Sequence, residues 1–218
     1  MLTLWHCEDT RSFRPLWALE ELDLNYDLKM LPFPPRASRK DYFAENPLGT
    51  IPLLVDGDTR MTESCAMLQY LSLRHGQGRF AVPTEHAEFG DYLNWLHHGE
   101  ATLTFPQTIY LRYSRMEVPE RQLPQAAEDY RLWFLARLKL LEPALSDGRD
   151  TLLQSGFTMA DIAVHYAIEL AVLLGLRDDL PPETLRWFDG LTTRPAYQRA
   201  KAKQRSGAEA DNLPPMPF

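Results

Sequence analysis

Apolar positions change period several times within the first 75 residues. Leu2 to Trp5 is an apolar run of strand length. Residues 12–22 switch to helical spacing, with Phe13, Leu16, Trp17, Leu19 and Leu22 on one broad face. Pro15 falls in the first turn of that helix, where a missing N–H costs little. Residues 26–31 read as a second strand. Pro32, Pro34 and Pro35 then interrupt regular structure, and residues 36–45 read as a weak polar helix. Two short runs on either side of Asp56-Gly57-Asp58 predict a hairpin, and residues 64–74 a helix with Ala66, Met67, Tyr70 and Leu71 inward. The order is βαβ-α-ββα.

The pattern breaks at GQGRFAVP, residues 76–83. Beyond it the chain predicts helices over 85–115, 125–145, 159–174, 183–191 and 195–203. The Pro-rich tail from Ser206 reads as extended. The expected organisation is an α/β domain at 1–77, a linker at 78–85 and an all-helical domain at 86–218.

One segment carries more chemistry than the rest: NPLGTIPLLVDGDTRMTES, residues 46–64. Its hairpin is flanked by two devices suited to holding a small peptide. A proline ahead of a strand, here Pro52, can sit in a cis bond that leaves the N–H and C=O of Ile51 facing outward. An acidic residue and a hydroxyl at a helix start, here Glu63 and Ser64, can bind an amino-acid head group beside free N–H groups. FTMADIA, from Phe157, has the spacing of a capping box, Thr158 with Asp161, and reads as structural.

Composition narrows the function classes. The 218 residues allow one or two domains, with 44% apolar and 24% charged residues, an ordinary globular balance. A formal charge of −7 without a long basic block argues against nucleic acid and anionic membrane as main partners. Two cysteines, Cys7 and Cys65, are too few for a disulfide framework. MLTLWHCEDT lacks the pattern of a signal peptide, and no apolar run approaches the ~20 residues of a membrane span. A soluble cytoplasmic protein is expected. His97 and His98 are adjacent on a helix, point ~100° apart, and do not form a metal pair. No metal site is expected.

Three blocks in order, TRSFRPLWALEEL, NPLGTIPLL with its later Glu63-Ser64, and FTMADIAVHYA, resemble the glutathione transferase superfamily, as does the closing RPAYQRA. The resemblance covers nearly the whole chain, is to bacterial members with a serine- or threonine-type loop, and implies several things. The fold would be a thioredoxin-like domain followed by a helical bundle, in a homodimer. Ile51 and Pro52 would hold the cysteinyl part of glutathione, and Glu63 and Ser64 its γ-glutamyl end. Arg39 or Lys40 would meet the glycine carboxylate. Glutathione would be a co-substrate, with no resident cofactor. The partner would be a small hydrophobic electrophile, as in detoxification, bound near His98, Phe105 and Tyr110.

The thiol must be activated, since a free thiol of pKa about 8.5 is mostly protonated at neutral pH. The loop His6-Cys7-Glu8-Asp9-Thr10-Arg11-Ser12 departs from the family pattern, with Trp5 where tyrosine-type members carry tyrosine. Thr10 falls where related members have serine and is the first candidate donor to the sulfur. Ser12 is the next, unless it caps the helix. Cys7 is third, and its bland reading is a small buried residue. Arg11 and Arg14 add positive potential near the thiolate, or Arg14 pairs with Glu20 or Glu21 or lies solvated on the surface. The reactions left open are glutathione conjugation, a glutathione-dependent reduction, peroxidation or isomerisation, and non-catalytic glutathione binding.

Overall fold

The computed structural model describes residues 1–216 and divides into two compact units. The first unit comprises Met1–Ala81 together with Arg194–Met216, and the second is Val82–Thr193.

The first unit is built on a four-stranded sheet in the order β2-β1-β3-β4. Strand β1 (Leu2–His6) pairs in parallel with β2 (Tyr26–Met30) and antiparallel with β3 (Leu53–Asp56), which pairs with β4 (Thr59–Met61). Gly57, at φ +57, opens the two-residue turn between β3 and β4. Helix α1 (Phe13–Glu21) is buried along its length and helix α3 (Ser64–Arg74) buries Met67, Leu68 and Leu71. The expected helix at 36–45 breaks at Arg39, whose ψ of 78° leaves helical space. What remains is a short α2 (Pro35–Ser38) and a 3₁₀ segment, Lys40–Ala44. Residues 79–81, expected in the linker, are tied to this unit: Ser72 Oγ donates to the Arg79 carbonyl at 2.6 Å, and Arg79 to the Glu21 carbonyl at 3.0 Å.

The last helix, α10 (Pro195–Ala210), belongs to the first unit, which corrects the expected helical domain of 86–218. Tyr197 sits edge-on to Phe13 and Trp17 at 5.4 and 5.1 Å. Arg194 grips the Glu21 carboxylate at 2.6 and 2.9 Å, while Arg199 and Lys203 reach Glu20 at 3.0 and 2.6 Å. Those partners also displace the expected Arg14–Glu20 or Arg14–Glu21 pair. The helix runs five residues into the stretch read as extended. A Cβ on Gly207 would lie 2.8 Å from Met30 Cγ, so a glycine permits the close approach. Residues 217 and 218, the end of the expected helical domain, lie outside the described residues.

The second unit is helical: α4 (Phe89–His97), α5 (Phe105–Leu111), α6 (Pro124–Arg137), α7 (Leu141–Leu145), α8 (Met159–Leu173) and α9 (Pro182–Thr192). The single helix expected over 85–115 is divided by a π-helical segment, His98–Thr104. Pro106, just beyond, brings no N–H to the ladder. A Cβ on Gly99 in that segment would meet the Ala163 carbonyl group at 2.6 Å. Helix α8 is the core of this unit, buried from Met159 to Ala171. Its start is the capping box: Asp161 accepts from the Thr158 and Leu152 backbone N–H groups, both at 2.8 Å.

Thr158→Ala is expected to lower unfolding free energy by about 1 kcal/mol. Asp161→Ala strands two buried N–H groups and is expected to cost about 2 kcal/mol or more. Urea denaturation checks both; wild-type stability in both variants would refute the cap's role.

Candidate functional site

Four element ends of the first unit meet at one end of its sheet. Strand β1 ends at His6 and α1 starts at Phe13, so residues 7–12 form a loop at that end. The antiparallel register places the start of β3 beside it, with Leu53 opposite Trp5. Ile51 lies two residues beyond the ladder, and the Ile51–Pro52 bond is cis. Thr50 is held by Tyr42 and Asn46, whose hydroxyl and amide donate to its carbonyl at 2.9 and 2.8 Å. Cys7, Ile51, Tyr42 and Leu53 belong to one buried cluster.

Helix α3 begins at the same end. Glu63 occupies the capping position and is exposed, without a side-chain cap bond. Ser64 is the first helical residue and is buried. The guanidinium of Arg14, fully buried in α1, donates to Ser64 Oγ at 3.1 Å. This is the actual placement of Arg14: a cation beneath the free N–H groups of a helix start, both favouring a bound anion.

The loop itself is a closed polar network. Thr10 Oγ1 donates to the Cys7 carbonyl at 2.8 Å and lies 2.8 Å from Ser12 Oγ. Ser12 stands at the capping position of α1 but does not cap it. Its hydroxyl lies 2.6 Å from His6 Nδ1 and accepts from the Cys7 N–H at 3.3 Å. His6 Nε2 lies 3.0 Å from Gln204 Oε1, which also accepts the Asp9 N–H at 3.1 Å. Burial lowers His6 to a pKa of about 4, so its imidazole is neutral at neutral pH. Burial raises Cys7 far above the usual thiol range, and the residue is 1% exposed. The bland reading of Cys7 therefore describes its surroundings.

Arg39 and Lys40, also of the first unit, make local contacts of their own. Arg39 is engaged by Asp41 at 2.9 and 2.6 Å, and Lys40 donates to the Arg36 carbonyl at 2.8 Å. His98, Phe105 and Tyr110 belong to the second unit. His98 stands edge-on to Trp95 at 5.3 Å and lines an open depression with Leu93, Asn94 and Thr102, which includes neither Phe105 nor Tyr110. Phe105 is half exposed against Tyr130, and the Tyr110 carbonyl accepts from Ser114. His6, Gln204 and Arg14 are the members that sequence reasoning misplaced or missed. No local spacing links His6 to Gln204. Arg14 beside Phe13 on a buried helical face was the available signal.

Residues 1–72 match the family model described as the glutathione S-transferase N-terminal domain. Glutathione S-transferase 1 of Schizosaccharomyces pombe is 27% identical over 94% of this chain and 97% of its own. Glutathione S-transferase GstB of Escherichia coli is 29% identical over 91% and 97%. The chain is thus similar to members of the glutathione S-transferase superfamily along nearly its whole length, and the family model covers its first third. The solved structure of glutathione transferase URE2P6 from Phanerochaete chrysosporium, in complex with oxidized glutathione, is 26% identical with a TM-score of 0.79. It aligns over 94% of this chain and 97% of its own. The thioredoxin-like N-terminal domain followed by a helical domain matches structures of this superfamily. No helix among the described residues is long and apolar enough to cross a membrane.

The buried His6 generates a pH prediction. Its pKa is about 4 in the fold against an ordinary 6.5, so its contribution to stability is present above pH 6.5 and lost as pH falls toward 4. Asp161, raised to about 6 by burial, acts with opposite sign, losing its contribution as pH rises through the same region. A His6→Asn variant isolates the first effect. The wild type is expected to lose ~3 kcal/mol more than the variant between pH 7 and pH 4. Equal losses by chemical denaturation would refute a neutral buried His6.

Proposed function

We propose that this protein is a glutathione transferase that joins the glutathione thiol to small hydrophobic electrophiles, using a loop hydroxyl to lower the thiol pKa. The observation that carries the reading is Arg14 beneath Ser64 at the start of α3. It supports a binding place for a carboxylate, which the γ-glutamyl end of glutathione carries beside an α-ammonium that exposed Glu63 suits. Ile51, beyond the ladder and next to Pro52, suits strand-like pairing with the cysteinyl unit. The complex of URE2P6 with oxidized glutathione lends further support.

In the proposed reaction the thiol proton leaves to solvent, the thiolate forms a new S–C bond, and the leaving group departs with its electron pair. Thr10 and Ser12 supply the hydroxyls at the α1 end, in the manner of serine- or threonine-type bacterial members. Arg39 and Lys40 are the proposed partners of the glycine carboxylate, once released from their present contacts. His98, Phe105 and Tyr110 are the proposed electrophile contacts. The protein acts as a cytoplasmic homodimer in this reading, without a resident cofactor. The burial of Cys7 weighs against thiol–disulfide chemistry at that residue.

Calorimetric titration with glutathione, followed by assay with a panel of aryl and alkyl halides, tests the reading. Saturable binding and conjugate formation are expected; no binding would refute it. Ser64→Ala and Arg14→Met are each expected to weaken glutathione by about tenfold or more, the loss of a charge-assisted hydrogen bond of ~1.5–3 kcal/mol. An unchanged Kd in both folded variants would place the carboxylate elsewhere.

A further inference from the structure

The proton order of the buried loop can be read from its partners. The Asp9 carboxylate accepts hydrogen bonds only, and Gln204 Nε2 lies 2.5 Å from it, so the amide nitrogen faces Asp9. The Asp9 N–H donates to Gln204 Oε1, which fixes the same orientation from the other side. Gln204 Oε1 is then the acceptor opposite His6 Nε2 at 3.0 Å, and Nε2 carries the ring proton. A neutral imidazole with its proton on Nε2 has a bare Nδ1. Ser12 Oγ, 2.6 Å away, donates its only proton there. Ser12 Oγ becomes an acceptor, which suits the Cys7 N–H that points to it. Lys201 also donates to Asp9.

We propose that Gln204 and His6 are positioning residues that consume the Ser12 proton and leave Thr10 as the one loop hydroxyl able to donate to the glutathione sulfur. This rests on the transferase reading above. Thr10 Oγ1 has two acceptors at 2.8 Å, the Cys7 carbonyl and Ser12 Oγ, and only one proton. A rotation about its C–O bond redirects that proton without moving a heavy atom. The Cys7 carbonyl keeps the Thr10 N–H at 3.4 Å when the hydroxyl turns away. Ser12 Oγ remains beside Thr10 as an acceptor. The relay explains why two hydroxyls, two residues apart, are not equivalent. It also gives α10 a part in the chemistry of a loop that precedes it by nearly the whole chain.

The test starts with the full-length wild type, its histidine rings labelled with nitrogen-15. Nuclear magnetic resonance is expected to show His6 as the neutral Nε2–H tautomer; an Nδ1–H or charged ring at neutral pH overturns the proposal. This measurement needs neither a variant nor bound glutathione, so it judges the relay even if glutathione fails to bind and the transferase reading falls. With glutathione bound, thiolate absorbance against pH gives the thiol pKa. Thr10→Val is expected to raise it by about one unit, tenfold less thiolate at fixed pH, and by more than Ser12→Ala does. Gln204→Met is expected to lose the tautomer bias and raise the same pKa, while glutathione Kd stays within about twofold. A larger effect from Ser12→Ala than from Thr10→Val, or a folded Gln204→Met with unchanged tautomer and thiol pKa, overturns the proposal. If Gln204→Met does not fold, the wild-type tautomer and the order of the two hydroxyl variants decide.

Discussion

A polar loop packed away from water must find a partner for each donor and acceptor inside the protein. The loop between β1 and α1 is under this constraint, with Cys7, Thr10 and Ser12 all buried. Its own backbone meets part of the demand, through the Cys7 carbonyl and N–H. His6 in β1 and Gln204 and Lys201 in α10 meet more of it. The arrangement of the first unit follows. Helix α10 has to lie where Gln204 reaches both His6 and Asp9. The ion pairs of Arg194 and Arg199 with α1, and the seat of Tyr197 on Phe13 and Trp17, fix it there.

The same economy governs charge. Glu20 and Glu21 are largely buried in α1, and burying a carboxylate without a partner is prohibitive. Tyr26, Arg194 ahead of α10, and Arg199 and Lys203 within it answer them. The Arg14 guanidinium, about two turns earlier on the same helix, donates instead to Ser64 at the start of α3. Partition of positive charge between the two ends of α1 thus separates a structural clamp from a place that attracts an anion. Sequence adjacency alone suggested that Arg14 would answer its own helix.

What was legible in the chain was local. Period and punctuation gave the βαβ-α-ββα order, because Pro32, Pro34, Gly57 and the glycines after Arg74 interrupt each run where the backbone turns. The cis proline and the Glu63-Ser64 pair were visible because each device is complete within a few residues. The capping box at Thr158 and Asp161 was visible for the same reason. Longer-range facts were not. Nothing near Arg39 announced that its dihedral angles would end a helix. The small residues after Ser206 looked like a tail, yet Gly207 is small because Met30 lies against it. His6 and Gln204 are meaningful only as a pair, and the pair exists only in the folded chain.

The first unit draws on both flanks of the second, Met1–Ala81 and Arg194–Met216. A ribosome therefore emits every residue of the second unit before the segment that completes the first. Until the segment from Arg194 emerges, Glu20 and Glu21 lack their cationic partners, His6 lacks Gln204, and the apolar seat of Tyr197 stands open. Domains tend to form as units during synthesis, with the earliest part first. Here the unit whose strands are made first receives its last helix at the end of synthesis.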